Sequence, residues 1–464
     1  MGQRLSSPPD VLLVPPAFDR DRSGEARLLA SPLACGFNRP ELFALFRNGT
    51  SVPGSLDLSL RPPGDAPLSV LLSTRGGGAG AAGGGGLLAS PVRVALRARP
   101  ARGPAHLALA EVAASRTAAG AAAPPAVRLA GYGWGLGGAV GAGAFVSLPV
   151  APAAAVPFGA KASTRWGSVG AHGAWDVAGS AARLDRAWAA VRARSAAPAG
   201  GPRDYWAASL AAEYLPRGAA GLAADRGEGA VSLGLLPEAG AAAGGPAGVV
   251  VAASVSGGAG PGSCFTLAVE AAPAAGEVLV TASQRLTLRR AVYNPVEHAH
   301  VRGIANYVDL GLRVHYSGAA GAAGAAGAAG AAGPGAGALD VEAGAAWQLN
   351  RCWMLKAATG AAATSATVAF KSWHAALGVA AGVTAALDHA RPGAGPRWGL
   401  SLSLENEGDV VFARPSPGQP AGVPTLRTPA APEEAPRGGA RTFEREDRPL
   451  AEDPTSPAAG GGLL

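Results

Sequence analysis

Lysine is almost missing from this chain: of 39 basic residues only Lys161, Lys356 and Lys371 are not arginine. Alanine, glycine and proline are in excess, with 69 Gly and 39 Pro. Such a skew reads as a codon-level bias, so no Ala-rich stretch is functional on that ground alone. Charged residues make up 15% of the chain, and aromatic residues 5%. The net charge of +7 is spread along the length, with no basic block and no interleaved aromatics. That excludes nucleic acid as an expected partner. Cys35, Cys264 and Cys352 lie far apart with no CxxC spacing, which excludes a zinc site and a disulfide framework. No Ser/His/Asp, Cys/His or paired-carboxylate arrangement suggests catalysis. The reading is a non-enzyme without cofactor or metal.

A long apolar helix is absent too. Leu129 to Ala160, "LAGYGWGLGGAVGAGAFVSLPVAPAAAVPFGA", carries no charge and is long enough to cross a bilayer. Its glycines at 131, 133, 135 and 137 alternate with Tyr132, Trp134 and Leu136, a period of two. Each glycine would cost a helix roughly 1 kcal/mol relative to alanine. Pro149 and Pro152 interrupt the run, so it predicts one or two strands with a turn near the prolines. Gly133, Gly135 and Gly138 match G-x-G-x-x-G by chance, since no βαβ pattern surrounds them.

What the chain does have is alternation, which places one set of side chains on each face of a strand. It occurs in "SLDLSLR" from Ser55 and "VRVALRAR" from Val92, and from about residue 278 it is nearly continuous. Seven strands are predicted there, the last being "RWGLSLSLE" with Trp398, Leu400, Leu402 and Leu404 on one face. The glycine triplets of Ser317 to Ala338 read as an inserted hairpin loop, because proline is nearly absent within them. The best helix candidate is Arg183 to Arg194.

The apolar faces are regular, and the opposite faces are Gly, Ala, Ser and Thr with sparse charge. A soluble sandwich would place its apolar faces in a packed core. A membrane barrel instead gives the apolar face to lipid and the small polar face to a lumen. The predicted fold class is therefore all-β: a membrane-spanning antiparallel β-barrel of about 16 to 19 strands. Residues 1–50 form an N-terminal segment contributing a first strand or a lumen plug, 51–408 the barrel, and 409–464 a disordered Pro/Gly-rich tail. Tyr132, Trp347, Trp353, Trp373 and Trp398 suit interfacial girdles. "MGQRLSSPPDVLLVPP" lacks the regions of a secretory signal and fits the M-G-x-x-x-S myristoylation pattern at Gly2. Glu297, His298 and His300 read as loop residues rather than metal ligands. The Asn48 sequon reads as unused.

"LNRCWMLKAATGAAATSATVAFKSWHAALGVAAGVTAALDHARPGAGPRWGLSLSLENEG" resembles, in order, the last strands of the mitochondrial porin (voltage-dependent anion channel) superfamily. "YNPVEHAHVRGIANYVDLGLRV" adds a likeness to a divergent plant and algal branch of that superfamily. The resemblance covers roughly residues 285 to 408. It implies a porin-like fold in the mitochondrial outer membrane, with membrane lipids, the barrel insertion machinery and small solutes or ions as partners. Arg397, Gly399, Leu402 and Leu404 match the sorting signal polar-x-Gly-x-x-hydrophobic-x-hydrophobic. Two departures are the tail beyond that strand and the lack of an evident amphipathic N-terminal helix. Alternatives are a chloroplast outer-envelope barrel in lipid or metabolite transfer, and a soluble all-β binding or scaffold protein.

On the expected lumen face, Arg285, Arg289, Arg313, Lys356, Lys371 and Arg397 outnumber Asp309, Glu342, Asp388 and Glu405 by two. A basic wall favours anions, so mild anion preference is expected. The alternative is that these charges merely solvate a plugged lumen.

Overall fold

The structure, a computed structural model, describes residues 11–13, parts of 29–46, most strand residues between 55 and 405, and 425–426 with 441–442. Among the described residues it is an all-β fold with little helix. Among the described residues one large sheet has 21 strands, and nearly all of its pairings are antiparallel. Setting aside two short strands, Val11–Leu13 and Arg102–Gly103, leaves 19 in a simple meander. Each pairs with the strand before and the strand after, from Ser55–Leu60 to Arg397–Glu405. The last of these pairs in parallel with the first, Ser55 opposite Ser401 through Ser59 opposite Glu405. The strand number falls within the predicted 16 to 19.

All seven predicted C-terminal strands are present, beginning with Glu277–Arg290 and Val301–Ser317. The run from Leu129 is shared among Ala122–Gly135, Val140–Pro149 and Ala155–Thr164, with the turn after Pro149. Tight hairpins need residues that tolerate a left-handed backbone. Gly276, at φ 66°, supplies this after the 3-10 turn Pro273–Ala275, its N–H donating to Pro273 O at 3.1 Å. The Gly-Ala triplets fall between Ser317 and its register partner Ala338, at a hairpin position.

The helix expected over Arg183 to Arg194 is absent; Ala181–Arg194 is a strand. A register shift opposite His172 and Gly173 adds one residue to it, so Asp185 and Arg186 both turn to the same face. That β-bulge breaks the period of two and leaves spacings that imitate a helix.

The two faces of the sheet differ in the opposite sense to a soluble protein. Large apolar side chains are exposed on one face, among them Leu210, Val255, Leu267, Leu312, Val368 and Leu400. Charged and hydroxyl side chains are buried on the other, including Glu111, Lys161, Glu213, Thr281 and Lys371. The apolar clusters on the buried face that are described both arise where the N-terminal segment lies against it.

Other expectations fall outside the described residues: Gly2, Asn48, Glu297, His298, His300 and Trp373, and the tail apart from the pair Thr425–Leu426 and Arg441–Thr442.

Candidate functional site

The candidate site is the buried, polar face together with the N-terminal segment that crosses it. Strand alternation sends every second side chain to this face, and the register places charges side by side. Arg285 faces Asp309 on the next strand and reaches it twice, Nε to Oδ1 at 2.7 Å and a terminal guanidinium nitrogen to Oδ2 at 3.1 Å. The Arg285 guanidinium also lies 5.7 Å from the centre of the Tyr307 ring. Arg313 and Glu342 are register partners and pair at 2.8 Å. Arg397 donates to Asp388 at 2.6 Å, joining the last strand to its neighbour.

Among the described side chains the expected surplus of two cations is unaltered, because these three pairs cancel and Lys356 and Lys371 make up the balance. Arg285, Arg313 and Arg397 are each engaged by an acid that the sequence also singles out. Lys356 and Lys371 are buried on this face, whereas the side chain of Arg289 lies outside the described residues. Gly399 and Leu402 stand on the two faces of the last strand, register partners of Thr384 and Ala381.

The first half of the chain adds charges that its Ala and Gly content concealed. Glu111 and Arg128, register partners, form a buried pair at 3.2 Å. Arg186 lies 3.4 Å from Glu213, and Glu277 lies 3.6 Å from His315. The signal was available: Arg128 sits between Val127 and Leu129, and Glu213 between Ala212 and Tyr214.

The N-terminal segment is helical at Pro32–Cys35 and, among its other described residues, at Leu42, Leu45 and Phe46. It is held by groups spread over many strands. Lys161 Nζ donates to Ala30 O at 3.3 Å, and His172 Nε2 donates to Leu29 O at 3.0 Å. Ser31 Oγ donates to Glu213 Oε2 at 3.0 Å. Asn38 donates through Nδ2 to Thr266 O at 2.9 Å and accepts from Ser283 Oγ at 2.7 Å. Thr281 Oγ1 donates to Phe37 O at 3.2 Å. Phe37 and Asn38 both have positive φ, 56° and 66°. This backbone suits asparagine but is costly for phenylalanine. Burial of the Phe37 ring with Leu33, Leu215, Val250 and Leu279 offsets that strain.

Glycines make the wall receptive to large side chains. A Cβ at Gly344 would sit 2.8 Å from Phe46 Cε1 and 3.2 Å from Leu45 Cγ. A Cβ at Gly143 would collide with the Tyr132 ring, and one at Gly159 with Phe145 and His172. Tyr132 thus lies on the buried face rather than in an outer girdle. Packing against Gly143 and Leu29 draws it inward. Trp347, Trp353 and Trp398 are exposed on the apolar face as expected, and Trp353 packs against Phe370 with ring centres 4.9 Å apart.

Among the described residues no group of three or more His, Cys, Asp or Glu is placed to hold a metal ion. Among the described residues no helix is long and apolar enough to cross a membrane, which leaves strand-crossing untouched. No protein-family model and no curated protein matches this chain.

Proposed function

We propose that this chain is a porin-like β-barrel of the mitochondrial outer membrane, passing small solutes or ions without chemical catalysis. The observation that carries the reading is the inversion of the faces. An apolar exposed surface and a charged, hydroxyl-rich buried surface suit lipid outside and an aqueous lumen within. The parallel pair between Ser55–Leu60 and Arg397–Glu405 supports closure of the sheet into a barrel, leaving no edge in hydrocarbon.

Two further features support membrane spanning. Exposed aromatics lie towards both ends of the strands, for example Trp206 and Tyr214 on Asp204–Leu215. At ~3.4 Å per residue the two are about 27 Å apart along the strand. A tilt of roughly 40° reduces this to about 20 Å along the membrane normal, close to the apolar band of such barrels. An odd strand number also separates this sheet from bacterial single-chain barrels, which are even, and agrees with the mitochondrial channel's 19. The sorting match at Arg397, Gly399, Leu402 and Leu404 points to the outer-membrane insertion machinery as a partner. Because most wall cations lie beside carboxylates, selectivity between anions and cations is weak.

Purified protein in planar bilayers tests the reading, together with carbonate extraction from isolated organelles. Discrete conductance steps and retention in the carbonate-resistant membrane are expected. A soluble protein, or a membrane-embedded one with no conductance, refutes the pore.

A further inference from the structure

Adjacent hairpins open at alternate ends of the meander, so its register assigns each charge on the buried face to one of two mouths. The turns after Asp176, Ala272, Ser317, Gly360 and Asp388 open at the first mouth. Those after Thr164, Ala259, Gln348 and Ser372 open at the second.

The charges divide unevenly between them. Glu213, Glu270, Glu277, Asp340, Glu342 and Asp388 lie on the half of their strands nearer the first mouth. Asp176 and Asp185 join them, while Arg183, Arg186, Arg313 and Arg397 are the cations on that side. Eight carboxylates against four arginines leave an excess of four negatives among the described side chains. Lys161, Arg192, Arg285, Lys356 and Lys371 lie on the half nearer the second mouth. There the described acid is Asp309, opposite Arg285, so five cations against one acid leave an excess of four positives. Glu111 and Arg128 cancel each other near mid-height.

We infer that the lumen is electrically polar along its axis and that the channel rectifies. The inference rests on the pore reading. A negatively lined half concentrates cations and a positively lined half concentrates anions. When the first mouth is at positive potential, cations enter through the acidic half and anions through the basic half. Both accumulate where the halves meet, and conductance rises. Under the opposite polarity both are drawn out of that junction, and conductance falls. The effect depends on fields that reach across the lumen. It is therefore strong at 0.1 M salt, where the screening length is about 10 Å, and weak at 1 M, where it is about 3 Å.

The test is the current–voltage curve of single channels of the full chain in neutral-lipid bilayers. A conductance ratio of roughly twofold between polarities is expected at 0.1 M KCl, falling towards unity at 1 M. Channels inserted in opposite orientations give mirror-image curves. The double variant Asp340→Asn, Glu270→Gln lowers the ratio at 0.1 M without abolishing conductance. Circular dichroism and the unitary conductance at 1 M establish that it is folded. A conducting channel with a symmetric curve at 0.1 M overturns the inference and leaves the pore reading standing. So does a ratio that neither salt nor the double variant alters. No conductance at all refutes the pore reading and this inference with it.

Discussion

Leu56 and Leu402 are register partners across the parallel pair that joins the first and last strands of the meander. In a meander each strand reverses the direction of the one before. The two end strands run the same way only when the strand number is odd, as it is here. The junction has five register pairs, Ser55–Ser401 through Ser59–Glu405, the fewest among the meander's neighbouring long strands. The proposed sorting match therefore falls on the strand that pairs with the first, and Leu402 belongs to both the match and that pairing.

Leu402→Arg is expected to block assembly while leaving synthesis intact. Leu402 stands on the exposed apolar face near the middle of the proposed band. A cation at the midplane of a barrel's lipid face costs about 2–4 kcal/mol. Leu402→Ala keeps the face apolar and assembles. Import into isolated mitochondria, followed by carbonate extraction and protease treatment, measures the difference. Normal assembly of the arginine variant would argue against both the lipid-facing assignment and the sorting role.

Asn38 is expected to control how firmly the N-terminal segment stays on the wall. Its side chain bonds to three strand residues, Thr266, Thr281 and Ser283, while its backbone holds a left-handed conformation. Asn38→Gly retains backbone freedom and loses the side-chain bonds; Asn38→Ala loses the bonds and strains the backbone as well. Each lost bond costs about 1 kcal/mol net. Conductance is expected to become noisier and larger in the order wild type, Gly, Ala, as read from single-channel recordings. Identical recordings from all three would mean the segment does not limit flow.

The C-terminal strands were legible because their exposed positions carry Val, Leu, Phe and Trp, with Ala between them, at a strict period of two. In the first half many of the same positions are Ala or Gly, as in Val140–Pro149, where the alternation survives but is faint. The bulge at Asp185 and Arg186 hid one strand entirely. Tyr132 was misplaced because periodicity gives two faces without saying which one is buried. The N-terminal segment was illegible for a different reason. Its partners Lys161, His172, Glu213 and Thr281 are more than a hundred residues away in sequence, and its hold on the wall uses backbone carbonyls of Leu29, Ala30 and Phe37.

Gly159 is expected to tolerate no side chain unless its neighbour shrinks. An added Cβ meets the Phe145 ring, which stands edge-on to His172 with ring centres 5.0 Å apart. Overpacking of this kind costs about 1–3 kcal/mol. Gly159→Ala lowers the urea midpoint in detergent micelles, and adding Phe145→Leu recovers part of the loss. Equal destabilisation with and without the second change would show that the clash is not the cause.

Trp188 and Trp353 test the orientation of the faces most directly. Trp188 is 3% exposed on the polar face beside His172, whereas Trp353 is 42% exposed on the apolar face at the start of its strand. In single-tryptophan variants reconstituted in brominated phospholipid, Trp353 fluorescence is expected to be quenched, more by bromines near the headgroup than by those near the chain ends. The reason is its place at the strand end, in the zone favoured by indole rings. Trp188, separated from the acyl chains by the sheet, is expected to keep its emission in every brominated lipid. Equal quenching of the two would contradict the arrangement of lipid outside and charge within. Quenching of Trp188 alone would reverse it.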